Sequence, residues 1–136
     1  MAEAGTTQYR QELVVRPLVL GGVRRIVKAY VRLWGFAPLA ETAALCVHEL
    51  LTNVPRHTDS PQCELTLDRH PDRVRVTVSD SSRTLPAVRE PDWVNESGRG
   101  LVLLDQMTDA WGADPNPDGG KDVWFEMRAT PHREAA

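Results

Sequence analysis

Apolar positions along the chain switch between two periods. From Leu18 to Trp34 they fall at Val23, Ile26, Val27, Tyr30, Val31 and Trp34. Steps of three and four predict an amphipathic helix, and Gly35 is a suitable C-terminal stop. Pro38 opens a second helix, which runs through HELLTNVPRH at 48–57. The segments QCELTLD (62–68) and RVRVTVS (73–79) alternate with period two instead. They predict two strands joined by a turn at HPD, 70–72. Residues 9–15, YRQELVV, are also strand-like and are bounded by Pro17.

The pattern lapses between 81 and 98, SSRTLPAVREPDWVNESG, where two prolines and many polar residues predict a loop. A loop of this length is usually functional or disordered. From Arg99 helical spacing resumes, with Leu101, Val102, Leu104, Met107 and Trp111. PNPDGG at 115–120 is a turn cluster, DVWFEM at 122–127 a final strand, and the tail after Thr130 is expected to fray. There is no internal repeat. The order β-α-α-β-β-loop-α-turn-β predicts an α+β fold with helices on one face of a mostly antiparallel sheet.

The second helix poses a question. Glu49, Asn53 and His57 recur every four residues, so they share one face as a polar ridge, whereas Leu45, Leu50, Leu51 and Val54 occupy other sides and are expected to face a core. Buried polar groups need partners. Glu49 paired with an arginine and Asn53 bonded to a loop backbone would meet that need. So would a ligand: an amide oxygen suits magnesium beside phosphate oxygens, and a glutamate one turn away can deprotonate a hydroxyl.

Composition narrows the class. The 136 residues fit one domain, 1–136, with a core at about 8–130. A net charge of −3 argues against sequence-independent nucleic-acid binding, and Arg24, Arg25 and Lys28 fit a solvated helix face. Cys46 and Cys63 lack metal-ligand spacing and read as small buried hydrophobes. No signal peptide or membrane-length apolar run is visible, so a cytoplasmic location is expected.

Two further elements carry candidate chemistry. Asp80 ends the second alternating strand; its carboxylate only accepts hydrogen bonds, suiting adenine's exocyclic amine rather than guanine's oxygen. An Asx turn is the plainer account. In ESGRGLVLLDQM, 96–107, Gly98 and Gly100 precede a helix whose N-terminus favours an anion, and Arg99 adds charge. A glycine hinge fits the same residues. The GK[ST] of a P-loop is absent.

In this order the elements resemble the GHKL family of ATP-binding domains, most closely its short anti-sigma-factor serine kinases. HELLTN (48–53) is similar to the N box, VSD (78–80) to the adenine segment, GRGL (98–101) to the phosphate turn, and WG…P…GGK.VWFE (111–126) to the closing strand. The resemblance covers about Val14 to Met127 and implies the Bergerat ATP-binding fold, a two-layer α/β sandwich with a mixed, mostly antiparallel sheet. It implies ATP and Mg2+ as cofactors. Asn53 would contact the metal and Glu49 would be the general base. Asp80 would hold the adenine amine. Gly98, Arg99, Gly100 and Leu101 would form the phosphate turn under a lid at 82–97, and His57 would be structural.

Three departures stand out. Pro55 interrupts the family's helix and predicts a kink. SDSSRTLP lacks the DxGxG glycines. Asp122 replaces a threonine that commonly helps a water reach adenine, which would place it beside Asp80 in the pocket. The leading expectation is a kinase that binds and phosphorylates a regulatory protein, a sigma factor or an anti-anti-sigma-like domain. The alternative is a non-catalytic regulator with weak or no ATP binding. A detached histidine-kinase catalytic domain fits less well, because no dimerisation helix pair precedes it. No direct nucleic-acid or membrane partner is expected, and a homodimer is left open.

Overall fold

The computed structural model describes residues 7–57, 62–80, 104–117 and 119–129, with the backbone alone for 53–57. The chain runs through strand β1 (Gln8–Val14), helix α1 (Pro17–Leu33), a single 3-10 turn (Ala37–Leu39), helix α2 (Ala40–His57), and strands β2 (Gln62–Arg69), β3 (Arg73–Asp80), β4 (Ala110–Pro115) and β5 (Lys121–Arg128). The strands form one sheet in the order β1-β2-β3-β5-β4. Every neighbouring pair in it is antiparallel.

Local chemistry sets the boundaries. Pro17 starts α1, its fixed φ suiting the first turn. At the other end Gly35 has φ 95°, a conformation that costs glycine nothing. Gly35 N–H donates to the Arg32 carbonyl and Phe36 N–H to the Val31 carbonyl, both at 3.0 Å. That double bond caps the open carbonyls of the helix and turns the chain into α2. The helix then continues through Pro55 to His57.

Strand alternation divides the sheet into two faces. Val74, Val76 and Val78 of β3 and Val123, Phe125 and Met127 of β5 are buried. They join Val23, Val27 and Val31 of α1 and Val47 and Leu51 of α2 in one core. The opposite face carries polar residues such as Arg75, Thr77 and Ser79, which are only partly buried. The α+β architecture with helices on one side of the sheet is thus as the element order predicts.

One element differs. Trp111 belongs to β4, where it pairs with Phe125, not to a continuation of the helix seen at 104–107. Its spacing from Leu104 and Met107 matched a helix by coincidence. Pairing with the exposed edge of β5 overrides so weak a local preference. No helix among the described residues is long and apolar enough to cross a membrane.

Candidate functional site

The end of the sheet that matters is identified by the way the helices lie on it. Arg69, the last residue of β2, donates from Nε to the Trp34 carbonyl at 3.3 Å. The C-terminus of α1 therefore lies over the C-terminal end of β2. Helix α2 runs back antiparallel to α1: Lys28 and Arg32 reach Glu41 at 3.5 and 3.4 Å, and Arg24 reaches His48 at 3.2 Å. The C-terminal half of α2, with Glu49 and Asn53, thus covers the opposite end, where β3 stops and β5 starts.

At that end the core-facing row of the sheet ceases to be apolar. Leu13 pairs with Cys63, Cys63 with Asp80, and Asp80 with Lys121. Asp80 and Lys121 are both buried, at 8% and 4% exposure, with Lys121 Nζ 4.0 Å from Asp80 Oδ2. This is an ion pair rather than a hydrogen bond. Burial, which disfavours the ammonium, holds the Lys121 pKa below its ordinary value, and the charge of Asp80 opposes that shift in part. Burial likewise pushes the Cys63 thiol up to about 12, helped by the negative charge of Asp80.

Glu49 is half-buried on α2. Among the described residues its carboxylate has no hydrogen-bond or ion-pair partner. Its backbone carbonyl accepts from Thr52 Oγ1 at 2.9 Å. Among the described residues Glu49 is not paired with an arginine, one account of the polar ridge. Burial pushes the Cys46 thiol to about 11, with Glu49 adding its charge.

A cavity of about 560 Å³ opens at the same strand ends. Ser79 and Asp80, Cys63 and Glu64, and Asn116 and Gly120 all contribute to its wall. Its size falls within the range of small-molecule sites. Asp80 brings a buried carboxylate to this wall, whereas no described residue of α2, Glu49 included, is among those lining the cavity.

The expected site residues are not all brought together. Glu49 and Asp80 lie at the same end of the molecule. Asn53 sits on the backbone of α2 one turn beyond Glu49; its side chain, and Gly98, Arg99, Gly100, Leu101 and the segment 82–97, lie outside the described residues. Asp122 does not join Asp80. It pairs with Ser79 on the other face of the sheet, where its Oδ1 accepts a 2.9 Å bond from Asn116 Nδ2. Period two is the reason: the neighbour of a core-facing residue must face away. The residue that meets Asp80 is Lys121, which the sequence reading passed over. The signal was present, because Lys121 shares its parity with Val123 and Phe125.

No curated protein matches the chain. The family model of the histidine kinase-like ATPase domain matches residues 14–127, which spans every strand and helix described here except β1, of which it takes in only Val14, and the last residue of β5. With a helix-covered antiparallel sheet and a buried carboxylate closing β3, the chain belongs to the histidine kinase-like ATPase domain family.

Proposed function

We propose that the protein is an ATP-dependent serine/threonine kinase of the anti-sigma-factor type, which binds a regulatory protein and phosphorylates it. The observation that carries this reading is Glu49: a half-buried carboxylate, uncommitted among the described residues, on the helix that covers the Asp80 end of the sheet. In the family a carboxylate closing β3 holds the adenine amine, and Asp80 is buried at that place. Asn53, one turn after Glu49, supplies the amide oxygen for magnesium.

When bound, Mg2+-ATP supplies the transferable phosphoryl group and neutralises charge on it. The remaining work falls to the chain. Glu49 accepts the proton of the attacking serine hydroxyl, and Asp80 fixes the base so that the phosphates reach the N box. The partner would be a small regulatory domain with an exposed serine, a sigma factor being the second protein bound.

A second reading is a regulator that has kept the fold and acts by partner binding with little or no ATP. The buried ammonium of Lys121 favours it, because it already faces the carboxylate that would receive adenine. Calorimetric titration with ATP and GTP, with and without magnesium, separates the two. Magnesium-dependent binding of ATP well above GTP is expected from the kinase. Absence of ATP binding would overturn the kinase reading and leave the second.

A further inference from the structure

Strand β1 ends the sheet on one side, with β2 as its only neighbour among the described residues. Gln8, Arg10, Gln11 and Glu12 are exposed along it. Which of its backbone groups point outward follows from one bond. Arg69 N–H donates to the Thr7 carbonyl at 2.8 Å, in step with the β1–β2 register. Hydrogen-bonded pairs alternate along an antiparallel ladder. The odd-numbered residues of β1 therefore bond β2, and Gln8, Arg10, Glu12 and Val14 aim N–H and C=O away from it. Such a row is a template for another strand.

We propose that this edge and the adjoining flank of α1 form the interface of a symmetric homodimer, β1 pairing antiparallel with β1 of a second copy about a two-fold axis at Gln11. The proposal does not depend on the ATP-binding reading. Because the outward-pointing residues must pair among themselves, only even-numbered residues can stand opposite each other in hydrogen-bonded pairs. Centring the axis on Arg10 sets arginine against arginine, and centring it on Glu12 sets glutamate against glutamate; like charges directly opposite are destabilising. Centring it on Gln11 sets Arg10 against the partner's Glu12 and Glu12 against the partner's Arg10. The strand is charge-complementary to itself in that register. Within one copy Glu12 stands opposite the like charge of Glu64. Arg10 reaches Glu64 only at 3.8 Å, with 59% of its side chain exposed. Charges on an edge strand usually guard it against pairing; here they reject the two neighbouring registers and favour one.

The helix layer fits the same axis. A two-fold axis at an antiparallel pair is perpendicular to the sheet, so the helices of both copies lie on one side. Helix α1 lies over β1 and β2, touching the first through the Tyr9 and Tyr30 rings, 4.7 Å apart, and the second through Arg69 and Trp34. Two such helices related by the axis stand about two strand spacings apart, roughly 10 Å, a normal distance for packed helices. Arg24, Lys28 and Arg32 face α2. The flank toward β1 carries Val19, Ile26, Tyr30 and Leu33 at helical spacing, and Leu33 is 72% exposed. On that side of the sheet the register sets Tyr9 against the partner's Leu13. The surface is thus an apolar helix flank beside an open, self-complementary strand, as a two-fold interface requires.

Sedimentation equilibrium of the full chain at increasing concentration is the test. The wild type should reach twice the chain mass of 15.2 kDa; a monomer throughout overturns the proposal. Arg10→Glu and Glu12→Arg, each checked for a folded state by its melting transition, should each raise the dissociation constant about tenfold or more, because each sets two like-charge pairs in the interface. An equimolar mixture of the two variants should recover the dimer, since one then offers only glutamate and the other only arginine at the paired positions. A dimer undiminished in both variants, or a mixture that does not recover, overturns the β1 register. If a single variant does not fold, the double variant R10E/E12R takes its place: it should dimerise with itself and not with the wild type. Free exchange between those two would overturn the register as well.

Discussion

Asn116 donates from Nδ2 to Oδ1 of Asp122 at 2.9 Å, closing the turn between β4 and β5. The same turn is held by Asn116 N–H donating to the Gly120 carbonyl at 2.7 Å. Asp122 is therefore part of the hairpin, on the sheet face away from Asp80. Asp122→Thr is expected to cost about 1 kcal/mol of stability, the worth of one such bond. Nucleotide affinity and its pH profile should not change. Urea unfolding and calorimetry check the two halves, and a tighter ATP complex would return Asp122 to the pocket.

Glu49→Gln should bind nucleotide like the wild type, because the carboxylate is assigned to the acceptor's proton rather than to the nucleotide. Phosphoryl transfer to a protein partner should fall by about a hundredfold or more. Transfer of labelled phosphate in a reaction with the partner is the measurement. Full-rate transfer by the variant would remove Glu49 from the chemistry.

Glu126 links two arginines on the open face of the sheet: Arg75 Nη1 lies 2.9 Å and Arg73 Nε 3.3 Å from its Oε2. Arg75 also stacks its guanidinium 4.0 Å over the Trp124 ring. Burial alone would raise the pKa of Glu126, but the hydrogen bonds and charges of the two arginines outweigh it and hold the carboxyl below its ordinary 4.5. A depressed folded-state pKa means stability that is present above 4.5 and lost as pH falls through the folded value. Glu126→Gln should therefore be less stable than wild type at neutral pH, with the gap closing in acid. A gap that stays constant in thermal melts across that range would show that the charge contributes nothing.

Cys46 and Cys63 are buried at 0% and 7% exposure, and burial lifts their thiols to about 11 and about 12. The thiolate is the reactive form. Neither should react with a disulfide reagent near neutral pH in the folded protein, and both should react after unfolding in denaturant. Rapid labelling of the native state would mean that this end of the core opens readily.

A Cβ added to Gly112 would sit 2.8 Å from Cζ2 and 2.9 Å from Cε2 of Trp124. The two residues are directly opposite in the β4–β5 pair, and the indole is held by its 3.0 Å bond to Asp114 Oδ2. Gly112→Ala should cost about 1–3 kcal/mol as overpacking. Adding Trp124→Leu should recover part of that loss. No recovery in the double variant would trace the cost to backbone strain instead.

What the sequence determined by itself was whatever depends on a residue's own neighbours along the chain. Period two in RVRVTVS and period 3.6 from Val23 to Val31 each bury one face, so β2, β3, α1 and α2 were legible with little ambiguity, as was the stop at Gly35. The placement of Asp80 at the end of a strand followed from the same count. Strand β4 was not legible, because AWGADP has no alternation and its state comes from the edge of β5 that it covers. Lys121 and Asp122 make the same point at the site. Adjacent in sequence, they face opposite sides of the sheet, and the register sets Asp80 against Lys121 and Ser79 against Asp122. Alternation within each strand already put Lys121 and Asp80 on the core face, but which residues stand opposite is a property of two paired strands, here separated by forty residues of chain.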